Sequence, residues 1–188
     1  MRSGSGEILT RLRDQGAMSR AELSRVTGIS SAGVTKIMTQ MIREGLVREC
    51  DPSGAFSIGR PATTVEICPE ARHVLGIHLG AGQVHIALSD AALNLSHTRS
   101  ITYDLTEPVE ELIARVSDLA RNVLHDGALP FNQILGIGVG VPGGVDPVRR
   151  VNTHSVLTGW KGIAFAEAFE QSLGLPVVLE HNATAMAM

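Results

Sequence analysis

Aromatic side chains are scarce in this sequence, with one tryptophan, one tyrosine and four phenylalanines among 188 residues. That scarcity argues against binding of single-stranded nucleic acid by stacking bases on aromatic platforms, and it makes the core mainly aliphatic. Cysteine is nearly as rare: Cys50 and Cys68 are the two present, and they show no metal-ligand spacing. They are expected to be free thiols of a reducing compartment, and no metal site is expected. Long apolar runs are missing as well, since no stretch of about 18 residues is suited to crossing a bilayer. The N-terminus "MRSGSGEILTRLRDQG" places polar residues where a signal peptide needs its apolar stretch. A cytoplasmic protein with no membrane partner is the expectation.

What is present is ordinary for a globular chain, 44% hydrophobic and 19% charged, long enough for one large domain or two unequal ones. The charge is unevenly spread. Residues 1–61 hold nine Lys/Arg against six Asp/Glu, a net +3, and the remainder holds seven against thirteen, a net −6. Blocks of opposite sign suggest two domains with different partners, the basic one suited to an anionic polymer.

In the first block, "SGEILTRLRDQG" carries Ile8, Leu9 and Leu12 at helical spacing and stops at Gly16. "MSRAELSRVTGIS" then sets Ser19 three residues before Glu22, a capping-box pattern, and closes at Gly28. A third helix begins at Ser30 or Ser31, with Val34, Ile37, Met38, Met41 and Ile42 on one face. The tight "VTGIS" connection suits a helix-turn-helix, in which the start of the later helix enters the major groove. Ser30, Ser31, Ala32, Thr35 and Lys36 are the candidate DNA contacts there, small or hydroxylated with one cation. After Gly45, "LVRECDPSGAFSIGRP" reads as two short strands around a Pro-Ser-Gly turn, a wing from which Arg48 and Arg60 would reach the backbone or minor groove. The plainer alternative is an interaction module of three packed helices, with Arg60 a solvated loop charge.

From about residue 72 the pattern becomes α/β. "VLGIHL" and "VHIALS" flank a glycine turn, "TRSITYDL" gives a third strand and "ILGIGVGV" a later one. A helix from about Pro108 to His125 carries Leu112, Ile113, Val116, Leu119, Ala120, Val123 and Leu124 on one face. A further helix, "GIAFAEAFEQSLG", ends at Gly174 and leads into the strand "VVLE".

Together with the preceding winged helix, "LGIHLGAGQVHIALSD", "ILGIGVGVPGGVDP" and "GWKGIAFAEAFEQSLGLPVVLEHNATA" resemble the ROK family of bacterial sugar kinases and sugar-responsive repressors. The winged helix resembles the repressor branch. The resemblance implies an N-terminal winged helix-turn-helix DNA-binding domain over 1–68. It also implies an α/β, actin-like and hexokinase-like ATPase-fold effector domain over 72–188, of which the first part is present. The family pattern continues past "NDANA" with further sugar and zinc motifs, so the chain is expected to be a fragment or truncation, its zinc site lying beyond residue 188. No cofactor is expected within the chain.

The departures from the kinase pattern carry equal weight. His78 stands where the family's kinases place the Asp of "GIDIG", and Asn182 stands where "ENDANA" supplies the general base. An amide has no usable basicity near neutral pH, and loss of a carboxylate near the phosphates removes charge that would hold Mg²⁺. No catalytic residue and no kinase activity are therefore expected; a sugar kinase fused to a DNA-binding module is the alternative. A carbohydrate or sugar-phosphate effector is expected at Gly143, Gly144, Glu180, His181 and Asn182. Val156 replaces an Asn that commonly contacts the sugar. Other readings stay open at single residues: Gly80 and Gly82 as a hairpin turn, His78 as a satisfied buried histidine, Asn182 as a helix cap and Trp160 as a core anchor. The function expected is a homodimeric, sugar-responsive repressor that binds double-stranded operator DNA.

Overall fold

Helix ends and strand alternation divide the molecule into two units, Met1–Ala71 and Arg72–Met188, and the computed structural model describes residues 4–50 and 63–186. In the first unit, α1 (Gly4–Gln15) buries Ile8 and Leu12 and is followed by the short strand β1 (Met18–Ser19). At the start of α2 (Arg20–Thr27), Ser19 Oγ accepts the Glu22 N–H while the Glu22 carboxylate accepts the Ser19 N–H, a reciprocal capping box. The helix ends at Gly28, whose φ of 70° is open to glycine at little cost. The chain then turns into α3 (Ser31–Arg43), which buries Val34, Met38 and Met41 against the apolar faces of the other helices.

The strand β2 (Val47–Cys50) pairs antiparallel with β3 (Thr64–Ile67), and β3 also pairs with β1. The sequence placed the second wing strand before Pro61, and the strand that pairs with β2 lies after it. Thr64, Val65 and Ile67 are β-branched and Val65 is buried, which suits a half-buried strand. The Pro-Ser-Gly turn and Arg60 lie outside the described residues.

The second unit runs β4 (His73–Leu79), β5 (Gln83–Asp90), β6 (Leu95–Thr102), α4 (Val109–Asp126), β7 (Ile134–Val141), β8 (Gly144–Asp146), β9 (Val151–His154), β10 (Lys161–Ile163), α5 (Phe165–Leu173), β11 (Val177–His181) and α6 (Asn182–Met186). Five strands form one sheet in the order β11-β7-β4-β5-β6, with β4, β7 and β11 parallel, and β8, β9 and β10 form a second, antiparallel sheet. Strand alternation points Leu75, Ile77 and Leu79 of β4 and Val84, Ile86 and Leu88 of β5 into one core with α4 and α5. Phe165 and Phe169 of α5 are fully buried there, and each contributes about 1.5–3 kcal/mol relative to exposure.

Two boundaries differ from expectation for local reasons. The third strand ends at Thr102 because Asp104 accepts both the N–H and the hydroxyl of Thr106 and turns the chain. The helix expected from Gly162 begins at Phe165 because Lys161–Ile163 is taken up in pairing with β9.

The opposite face of the five-stranded sheet is bordered by α6 and otherwise open among the described residues. Gly76, Gly138 and Gly140 leave it shallow, and Val178 and Leu95 on it are 71% and 70% exposed.

Candidate functional site

On α3, the side opposite Val34, Met38 and Met41 is polar and exposed. Ser30 caps the helix, its Oγ accepting the Gly33 N–H, and Ser31, Ala32, Thr35 and Lys36 follow on the outer side, all exposed. Gly33 is required here, since a methyl at that position would lie 2.9 Å from Ile29 Cγ2, the residue seated under the turn. The structure extends the surface beyond the expected residues. Lys36, Thr39, Gln40, Arg43 and Glu44 line a hollow of about 410 Å³ on the second half of the helix. Continuation of the 3.6-residue period beyond Lys36 was the available signal for Thr39, Gln40 and Arg43. No ion pair among the described residues engages Lys36 or Arg43, whereas Arg48 on β2 is held by Glu66 and Glu70. That neutralisation makes Arg48 a weaker partner for a phosphate than its charge alone implies.

In the second unit the glycine turn between β4 and β5 is closed upon itself. The Gly80 N–H donates to the Gln83 carbonyl, Gly82 has φ +80°, and Tyr103 clamps both ends. Its hydroxyl donates to the Gly80 carbonyl and its N–H to the Gly82 carbonyl. Tyr103 in turn stacks on Trp160 at 6.1 Å, and Trp160 meets Phe165 edge-on at 4.9 Å. Trp160 is 7% exposed and is a core anchor.

His78 is exposed on the open sheet face, which corrects the reading of a buried histidine: alternation sends its neighbours Ile77 and Leu79 inward and His78 outward. Strand register places Glu180, Gly140, His78 and His85 in one row across β11, β7, β4 and β5. The two imidazole rings lie 6.0 Å apart. Partial burial, with a smaller effect of His85, pushes the His78 pKa below the ordinary histidine range, so the ring is neutral near pH 7. A methyl on Gly140 would lie 2.7 Å from Asn182 Oδ1 and 3.8 Å from His78 Cδ2, so these two side chains converge over the glycine. Asn182 Nδ2 donates to the Leu79 carbonyl at 3.1 Å, and its Oδ1 has no hydrogen-bond partner among the described residues. It therefore ties α6 to the hairpin and does not cap its own helix. Glu180, whose carboxylate accepts the His181 N–H, lines with His78, His85 and Asn182 a mainly apolar concavity of about 550 Å³.

The other expected effector residues lie elsewhere. Neither Gly143 and Gly144 nor His181 lines that concavity. Gly143 has φ +85°, and a methyl there would lie 2.1 Å from the His154 carbonyl oxygen, so packing against β9 already requires glycine. Beside it the fully buried Asn152 donates to the Pro142 and Gly144 carbonyls. Val156 is 91% exposed.

Residues 74–188 match the ROK family, and residues 6–48 match a winged helix-turn-helix DNA-binding family. The chain belongs to the ROK family. The DNA-binding transcriptional repressor Mlc of Escherichia coli K12 is 30% identical over 181 residues, covering 95% of this chain and 44% of that protein. The xylose repressor of Caldicellulosiruptor bescii is 25% identical over 181 residues, covering 96% and 45%. The chain thus spans less than half the length of these curated relatives. Among solved structures, a ROK family transcriptional regulator described as a homologue of E. coli Mlc matches with a TM-score of 0.75 at 23% identity, over 97% of this chain and 46% of that one. The ROK hexokinase from Thermus thermophilus matches with a TM-score of 0.53 at 23% identity, over 61% and 37%. The fold of this ROK chain is accordingly a winged helix-turn-helix followed by the first part of the hexokinase-like ATPase fold. Among its described residues no helix is long and apolar enough to cross a membrane, and no group of three His, Cys, Asp or Glu side chains is placed to hold a metal ion.

Proposed function

We propose that this chain is the DNA-binding domain and part of the effector domain of a cytoplasmic, sugar-responsive ROK repressor without phosphotransferase activity. The observation that carries the reading is α3, which sets Lys36, engaged by no ion pair among the described residues, among small exposed side chains beside the capped turn. Ser30, Ser31 and Lys36 are suited to phosphates, and Ala32 and Thr35 to base edges. Repression acts through a homodimer on paired half-sites, since two-fold protein symmetry matches operator symmetry. A carbohydrate bound in the concavity beside Glu180 and Asn182 shifts the dimer only if it prefers one of its two arrangements.

The absence of kinase chemistry is supported by the amide at Asn182 and the neutral imidazole at His78, which face each other over Gly140. The amide has no usable basicity toward a sugar hydroxyl, and the imidazole supplies no negative charge to hold Mg²⁺ at the phosphates. The names of the relatives Mlc and xylose repressor support the same side.

The test is fluorescence anisotropy with double-stranded DNA from upstream of the gene, across a salt series. Lys36→Ala is expected to weaken binding to all sequences alike and to reduce the slope of log K against log salt by about one. An unchanged affinity and slope would remove α3 from the interface.

A further inference from the structure

Two threonines on the outer side of α3 have their hydroxyl protons occupied. Thr35 Oγ1 donates to the Ser31 carbonyl and Thr39 Oγ1 to the Thr35 carbonyl, each at 2.8 Å. Both side chains are exposed. A hydroxyl bound back to the preceding turn has no proton left for a base acceptor, and the γ-methyl becomes the group free to face a partner. Ala32, also exposed, precedes Thr35 by three residues, so three methyl groups follow one another along the helix at positions 32, 35 and 39. Beside them run Lys36, Gln40 and Arg43; Gln40 Nε2 donates to Glu44.

In the major groove the apolar group that a base pair presents is the 5-methyl of thymine. We infer that Ala32, Thr35 and Thr39 read thymine methyl groups, and that each operator half-site carries thymines within a short window under α3. The inference rests on the reading of α3 as the recognition helix. Ala32 to Thr39 spans seven residues, about 10.5 Å of helix, which corresponds to about three base-pair steps. Lys36 and Arg43 flank the row with the cations that hold the helix against phosphates, and that arrangement fixes which methyls the row can reach.

The experiment selects double-stranded oligonucleotides from a random library on the 188-residue chain and then replaces each enriched thymine by deoxyuridine, which lacks only the methyl. Enriched half-sites are expected to hold thymines within three or four adjacent steps, and each contacted methyl removed weakens binding about fourfold. Thr35→Val, which keeps a methyl and discards the hydroxyl, retains the thymine preference. Thr35→Ser, which keeps the hydroxyl and discards the methyl, loses it at one position. Helix content by circular dichroism verifies that both variants fold. Enriched sites that tolerate uracil without loss, or a folded Thr35→Val that no longer discriminates, would overturn this inference while leaving DNA binding intact. A library with no enrichment at all overturns the DNA-binding reading and this inference together.

Discussion

At Asn182 an amide differs from a carboxylate in carrying an NH₂ donor and no charge, and the structure uses that donor. Nδ2 reaches the Leu79 carbonyl, joining α6 to the hairpin strand that ends in the glycine turn. Asn182→Asp would set a carboxylate oxygen against that carbonyl, so the second unit is expected to lose about 1–3 kcal/mol. Thermal unfolding followed by tryptophan fluorescence measures the loss. The same variant is expected to gain no phosphotransfer to hexoses, because His78 still supplies no negative charge beside it. Unchanged stability would show that the bond to Leu79 contributes nothing. The amide at position 182 was legible from the string "EHNATA", but its partner was not: Leu79 lies 103 residues upstream, and only the packing of β4 beside β7 and β11 brings them together. Gly143 gives the converse lesson. Its sequence context suggested a ligand loop, whereas the His154 carbonyl against it is sufficient reason for glycine.

Among the elements, those with many residues repeating one period were readable and those held by a few pairings were not. The helix α3 announces itself through Val34, Met38 and Met41, and β4 through alternating Leu75, Ile77 and Leu79. The strands β1, β8 and β10 have two or three residues each, too few for a period to appear, and exist because of their partners. Helix α2 is only eight residues long, below the length at which an isolated helix holds together in water, so its ends matter. Ser19→Ala removes the side-chain half of the capping box and is expected to cost about 1 kcal/mol. In a unit this small that lowers the melting temperature by roughly 4–8 °C. Calorimetry of the chain reads it as a shift of the first unit's transition alone; no shift would mean that packing of Leu23, not the cap, holds α2 in place.

Across the whole molecule, acid is expected to act mainly on the second unit. The His78 pKa is lowered in the folded protein, so as pH falls below about 6.5 the unfolded chain takes up its proton first. Stability from this group is full above that value, declines as pH falls and is gone below the lowered pKa. His78→Gln should flatten that part of the stability profile measured by urea titration between pH 7 and 5; a profile of the same slope would mean that other histidines set it. The distribution of aromatic residues has a further consequence. The one tyrosine and the one tryptophan are stacked together beside the glycine turn, and the first unit contains neither. Ultraviolet emission from the intact chain is thus a private channel from the hairpin, silent about α3. If DNA added to the chain alters that emission, the light itself measures how far news of that binding travels into the second unit.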